Sequence, residues 1–439
     1  MKPSTVKGSA AESNAANPPA KLTARVLFVC WLAILFEGYD VGVMGAILPS
    51  MAEDKAWNLT PLELGALSSY ALLGMFFGAF LIGTLSELVG RRKMLLMCVT
   101  LFSLTMGGAA WAPTPEWFGA FRFIGGLGLG GVIPVAAALT IEYSAQHRRS
   151  FNYGIMYSGY SIGILTAAAV AMWLIQDYGW RTVVGLGLLP LIAIWPMARA
   201  LPDSIENLVS RGRQQEAEQL SKQLGVSMPQ KSEQDSNPGT GWREVLAEVF
   251  SKRHLRATVC FWLALFCGLL LIYALNTWLP SIMRRNGYDL GSSLSLLVVF
   301  SLASAIGGMF LGKAADRFGV RVMVTVFYLL GALAIFALMW QHSMFVNYVL
   351  VAIAGVGTIS ASLILTGHLA NYYPSNVRAA ATGWGLSFSR LGAMSGPILG
   401  GYVAGSGLGV EWNFITFAVI AAIAAVAVAF LPRRSKNHK

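Results

Sequence analysis

Apolar residues run along this chain in long unbroken stretches instead of alternating with polar ones, the pattern of helices surrounded by lipid. A bilayer core takes about 20 such residues per helix. Twelve stretches qualify, at 25–49, 62–85, 94–112, 116–142, 152–175, 182–200, 257–281, 291–312, 321–340, 345–370, 379–405 and 410–431; they are numbered here as spans 1 to 12. One long polar interruption, 202–256, divides them six and six. It opens on Pro202-Asp203-Ser204, carries a mixed-charge helical stretch from Glu206 to Leu224, and continues into a Ser/Gln/Asn-rich patch at 227–239. The predicted organisation is a disordered tail at 1–24, a six-helix bundle at 25–200, a loop with short helices at 201–256, a second bundle at 257–432, and a tail at 433–439. The fold class expected is an all-α membrane protein made of two pseudo-symmetric six-helix bundles.

Composition agrees with a lipid environment: 55% of the 439 residues are hydrophobic and only 12% charged, with a mean hydropathy of +0.59. The formal charge of +11 is scattered through short loops, whereas a nucleic-acid binder gathers its Lys and Arg on one face or arm. Of the 32 Lys and Arg residues, 26 fall on the side holding both termini, 4 on the other side and 2 within spans. By the positive-inside rule both termini are then cytoplasmic. Cys30, Cys98, Cys260 and Cys267 all sit inside apolar runs, without the paired spacing of a zinc site or a disulfide framework, and read as small core hydrophobes. Residues 1–24 are polar and the first apolar run is too long for the core of a cleavable signal, so that run is expected to be a span.

The two bundles echo each other. After span 2 the chain reads Gly83-Thr-Leu-Ser-Glu87-Leu-Val-Gly90-Arg91-Arg92; after span 8 it reads Gly312-Lys-Ala-Ala-Asp316-Arg-Phe-Gly319-Val-Arg321. Tyr143, Arg148 and Gly154 after span 4 recur as Tyr373, Arg378 and Gly383 after span 10. The offsets are 229 to 230 residues throughout. A duplicated six-span unit follows, and with it a substrate site between the halves near the midplane.

These paired Gly-x-x-x-(Asp/Glu)-x-x-Gly-x-Arg loops resemble the signature of the major facilitator superfamily, over about residues 25 to 432. Arg122-Phe-Ile-Gly-Gly126-Leu-Gly128-Leu-Gly130-Gly131 in span 4 is similar to that superfamily's second motif, an Arg followed by small residues that allow close helix packing. Span 5 lacks the Gly-Pro and double glycine of the drug antiporters; a look-alike, Gly392-Ala-Met-Ser-Gly396-Pro397, stands in span 11. Glu37-Gly38-Tyr39-Asp40 in span 1 resembles the Asp-Gly-Tyr-Asp motif of the aromatic acid:proton symporters, with Glu in place of the first Asp. Glu142, Arg378 and Arg390 are further matches, and Glu87 replaces the usual Asp of the loop signature. The resemblance implies import of benzoate-like carboxylates with protons as the coupling ion, no cofactor, and location in a bacterial-type inner membrane. It also implies that the signature loops, here Gly83, Glu87, Gly90, Arg91, Arg92, Asp316 and Arg321, take part in gating, with the acid holding the cytoplasmic side shut against a facing helix such as the start of span 11 near Arg378.

An ionisable side chain at bilayer depth costs roughly 3 kcal/mol or more, which makes each one a functional candidate. Glu37 and Asp40 are three apart and share a helical face. Arg122, two turns into span 4 from the opposite side, falls at a similar depth by helical rise, and Arg390 sits midway along span 11. Static ion pairing is one reading. The functional reading gives the arginines to a substrate carboxylate, which a planar guanidinium fits, and the proton to Glu37 and Asp40: an acid whose cation is taken away in a low-dielectric cavity is favoured in its protonated form. Glu142, close in sequence to Arg148 and Arg149, is expected in a capping or gate ion pair with them. Tyr39, Tyr160, Trp384 and Phe388 are candidates to stack on an aromatic substrate, and His368 reads as a packing residue. The glycines at 392, 396 and 400 allow close helix approach.

A sugar or another organic anion is the rival cargo, though sugar sites are usually lined by Gln, Asn and Trp. A membrane-embedded enzyme would need nucleophile, acid/base or metal groups clustered at one depth, and a sensor would need a sizeable signalling domain; neither pattern is present. Nothing in the sequence calls for more than a monomer.

Overall fold

The computed structural model describes residues 18–145, 148–226, 228, 247–373 and 375–432. The side chains of Gly83, Thr84, Glu87, Ser150, Ser210, Ala370, Asn371 and residues 375–380 also lie outside the description, as do most of both tails and of the 227–239 patch. Among the described residues each of the twelve expected spans is helical over most of its length, without a strand; spans 3 and 9 end short of expectation, at Ala110 and Ala337.

Span 1 begins earlier than hydropathy alone indicates, at Ala20, so residues 20–24 belong to the helix and not to the tail. Spans 2 to 4 are Pro61–Val89, Arg91–Ala110 and Pro115–Glu142. Proline opens spans 2 and 4, where its missing N–H deprives no hydrogen bond, and Thr60 with Glu63 closes a capping box on span 2. Spans 5 and 6 run nearly together: the helix Arg149–Gly185 is broken at Gly179, whose φ of 75° turns the chain from span 5 into span 6, and span 6 continues through Leu186–Leu188 into Pro190–Ala200. Spans 7 to 9 are Leu255–Arg285, Leu290–Phe318 and Val320–Ala337. Span 8 is capped by Asp289, and hydrogen bonds from the Ser292 hydroxyl and backbone N–H hold the Asp289 carboxyl below the usual carboxylate range. Span 10, Met344–Tyr372, contains one turn of π-helix at Val356–Ser360. Spans 11 and 12 are Ser375–Gly405 and Glu411–Ala429.

The signature segments prove not to be loops. Spans 2 and 8 continue as helix through Val89 and Phe318, and a single glycine, Gly90 (φ 107°) or Gly319 (φ 92°), makes the whole reversal before the next helix starts. Only glycine adopts that backbone without strain, which fixes its place in both repeats. The duplication extends to side chains: Arg92 donates to the Ala198 carbonyl at the end of span 6, and Arg321 to the Ala429 carbonyl at the end of span 12. Similarly, Thr23 at the start of span 1 donates to the Tyr143 carbonyl, while Thr258 in span 7 bonds the Tyr373 hydroxyl.

The expected helix from Glu206 to Leu224 is two helices, Ile205–Ser210 and Gln214–Leu224, separated at Gly212 (φ 73°). Both pack against the N-terminal bundle: Tyr143 donates to the Asp203 carbonyl, Asn207 to the Ser86 carbonyl, and Leu208, Ala217 and Leu220 join its apolar core.

Candidate functional site

The buried charges fall into two groups. Asp40 and Arg122 are 2% and 4% exposed and form an ion pair between spans 1 and 4. Arg122 also donates to the Asp40 backbone carbonyl (3.3 Å) and contacts the Met106 sulfur (3.1 Å). The glycines after Arg122 create the room: Gly126 and Gly130 lie against the backbone of span 2 at Ala71 and Met75, so a Cβ at either would strike it. Glu37, one turn before Asp40 on the same face, is fully buried, and neither carboxylate oxygen has a hydrogen-bond partner among the described residues. It lies within electrostatic reach of Asp40 and of Arg390. Arg390 comes from the other bundle, is half-buried, and donates to the Met75 carbonyl of span 2 at 3.2 Å. Asp40 is thus paired with an arginine of its own bundle, while Glu37, unpaired among the described residues, feels the charge of an arginine from the other.

Next to these charges lies a small cavity between the bundles, partly open to solvent. Span 5 contributes Tyr157, Tyr160 and Ile164; the other bundle contributes Tyr273, Ser301 and Ile359 among others. Tyr157 and Tyr160 are stacked at 5.8 Å between ring centroids, and Tyr160 donates to the Tyr273 hydroxyl across the bundle boundary at 3.2 Å. Glu37 and Arg390 are in turn within electrostatic reach of Tyr157 and Tyr273.

Of the four aromatic candidates, only Tyr160 lines this cavity. Tyr39 donates its hydroxyl to the Val183 carbonyl (2.7 Å) inside the N-terminal bundle. Trp384 packs into the apolar core of the C-terminal bundle, and Phe388 stacks on Trp262 at 4.9 Å and against Phe266. The reason is their spacing. Residues 384, 388, 392, 396 and 400 share one face of span 11, and its glycines press that face onto span 7, where a Cβ at Gly392 or Gly396 would strike the Phe266 or Leu270 carbonyl. Arg390 points the other way. The sequence reading passed over Tyr157, Tyr273 and Ser301, although Tyr153, Tyr157 and Tyr160 recur at helical spacing. His368 packs against the rings of Phe261 and Tyr372.

Residues 30–356 and 287–439 match the sequence family described as the Major Facilitator Superfamily. The chain belongs to this superfamily. It is 33% identical to the benzoate transport protein of Acinetobacter baylyi, covering 92% of this chain and 88% of that one. It is also 33% identical to the gentisate transporter of Corynebacterium glutamicum, covering 94% and 88%. The fold is that of the xylose transporter of E. coli in a partially occluded, inward-open conformation, with a TM-score of 0.76 at 17% identity, over 96% of this chain and 100% of that one. Membership makes the protein a membrane transporter and not an enzyme.

In this facilitator Glu142 does not pair with Arg148 or Arg149, which are both exposed. It turns instead toward the segment after span 6, pairing with Arg91 (3.2 Å) and accepting from the Ser204 hydroxyl (2.6 Å) and the Glu206 backbone N–H (3.1 Å). Arg91 also pairs with Glu206 at 2.7 Å, and Arg92 with Asp203 at 3.4 Å. This network ties the loop helices to the N-terminal bundle. Asp316 is exposed; the side chains of Glu87 and Arg378 lie outside the description. The two bundles meet instead on the side away from the termini: Glu53 pairs with Arg284 (2.6 Å), Ser69 donates to the Met394 carbonyl (2.9 Å), and Gly45, Gly65 and Gly401 bring spans 1 and 7 and spans 2 and 11 into backbone contact.

Proposed function

We propose that the protein imports an aromatic carboxylate of the benzoate or hydroxybenzoate class together with protons, by alternating access. The observation that carries this reading is the set of charges at bilayer depth: the buried Asp40–Arg122 pair and the half-buried Arg390 of the other bundle within electrostatic reach of Glu37, beside a tyrosine-walled cavity. A buried ion pair is a weak stabiliser compared with apolar packing, so packing alone is a poor reason for this set of charges. The relatives' benzoate and gentisate are both flat anions with one carboxylate, which a guanidinium holds in its plane.

Coupling follows from charge balance. A substrate carboxylate that engages an arginine withdraws that cation from Asp40 or Glu37, and the released acid, in a low-dielectric site, takes up a proton. Anion and proton then load together, each favouring the other. The bundles rock about this site, with the Glu53–Arg284 side parting as the other closes. Protons are the coupling ion and no cofactor takes part. The transporter works as a monomer in a bacterial-type cytoplasmic membrane with both termini inside.

The test is uptake of radiolabelled benzoate, 4-hydroxybenzoate, protocatechuate and gentisate by proteoliposomes, with an inward proton gradient imposed and then collapsed. Accumulation of at least one acid that disappears with the gradient is expected. No uptake of any would overturn the aromatic-acid reading in favour of another organic anion, and uptake indifferent to the gradient would remove the proton coupling.

A further inference from the structure

The cavity has two chemically different ends. Near Tyr157 and Tyr273 it comes within reach of the charges of Glu37 and Arg390. Its wall from spans 8 and 10 carries a row of hydroxyls: Ser301, Ser304, Ser362 and Thr366. Three of these are already committed to the protein. Ser304 donates to the Ser301 carbonyl (2.7 Å), Ser362 to the Thr358 carbonyl (2.7 Å) and Thr366 to the Ser362 carbonyl (2.9 Å). Ser301 differs: it is 1% exposed, lines the cavity, and its hydroxyl has no hydrogen-bond partner among the described residues. An unpaired buried hydroxyl is unfavourable, and its place in the wall of a ligand cavity means that a ligand can supply the missing partner. Tyr273 accepts the Tyr160 proton, which leaves its own phenolic proton available to the same ligand.

We infer that Ser301 is a specificity-determining residue that pairs with a hydroxyl on the ring of the transported acid, so that the preferred substrate is a ring-hydroxylated benzoate and not benzoate itself. This rests on the aromatic-acid function proposed above. The carboxylate lies toward the charged end, the ring lies between Tyr157 and Tyr160 and the aliphatic wall of Ile164 and Ile359, and the ring hydroxyl meets Ser301. Benzoate fills the same space but leaves Ser301 unpaired. A site built around a hydroxyl rejects the analogue lacking it more strongly than an apolar pocket rejects an added one.

The experiment is gradient-driven uptake of benzoate, 3-hydroxybenzoate, 4-hydroxybenzoate and gentisate by proteoliposomes holding the wild type, Ser301→Ala or Ser301→Thr. In the wild type at least one hydroxylated acid should have a KM about ten-fold below that of benzoate. Ser301→Ala should bring that ratio close to one, through a higher KM for the hydroxylated acid, and Ser301→Thr, which keeps the hydroxyl, should restore most of it. A wild type that favours benzoate, or a ratio that Ser301→Ala leaves unchanged, overturns the assignment of Ser301 while leaving aromatic-acid transport in place. Absence of uptake of all four acids by the wild type overturns both. If Ser301→Ala yields no folded protein, the wild-type ratio and its size in Ser301→Thr decide the matter.

Discussion

Asp40 is the position at which the proposed proton coupling and the stability of the fold meet. Its carboxylate and the Arg122 guanidinium neutralise each other with almost no exposure, and removing one partner of such a pair typically costs about 3–5 kcal/mol because the other charge is left uncompensated. Asp40→Asn should therefore lower the melting temperature in detergent and abolish uphill uptake. The double variant Asp40→Asn, Arg122→Met removes both charges; it should regain much of the melting temperature and none of the transport. Full recovery of both would reduce the pair to a structural strut, and uphill uptake by Asp40→Asn at the wild-type rate would remove it from coupling. The depth match between Asp40 and Arg122 was legible from helical rise; their pairing was not, because it requires spans 1 and 4 to be neighbours. Nor was the approach of Arg390 to Glu37, because Arg390 arrives from a bundle whose position relative to span 1 no local pattern specifies. Glu142 was misjudged for a similar reason: its neighbours in sequence, Arg148 and Arg149, turn outward, while Arg91, 51 residues away, supplies its charge partner.

At the scale of elements, span 11 carries most of the lesson. Trp384 and Phe388 were reasonable substrate contacts by proximity to Arg390, yet they lie in register with Gly392, Gly396 and Gly400 and so must face whatever that glycine face faces. The structure makes it span 7. Gly396→Val should force spans 7 and 11 apart against the Leu270 carbonyl, destabilising the protein by about 1–3 kcal/mol, whereas Gly383→Ala, with no neighbouring atom within 4 Å, should melt like the wild type. Equal melting of the two variants would contradict close packing at 396. The signature segments show the opposite relation: Gly90 and Gly319 were visible as repeats, but only their positive φ explains why a single residue is enough to turn the chain.

At the scale of the whole molecule, contacts between the bundles on the side away from the termini define a closure that the proposed alternating access requires to open. After replacement of the native cysteines, a Ser69→Cys, Met394→Cys pair bridged by a short bifunctional maleimide should stop uptake, and each single variant treated alike should not. Uptake by the bridged protein would mean that spans 2 and 11 do not separate. The twelve spans, their division six and six, the duplication and the charged residues at membrane depth were all determined by the sequence, because lipid imposes hydrophobic length on each helix and makes every internal charge conspicuous. The break at Gly179, the π turn at Val356–Ser360, the docking of the loop helices, the Asp40–Arg122 pair, the approach of Arg390 to Glu37 and the unpaired Ser301 were decided only by tertiary structure. Each depends on which face of one helix meets which face of another, and in a chain apolar on nearly every side, hydropathy leaves those faces indistinguishable.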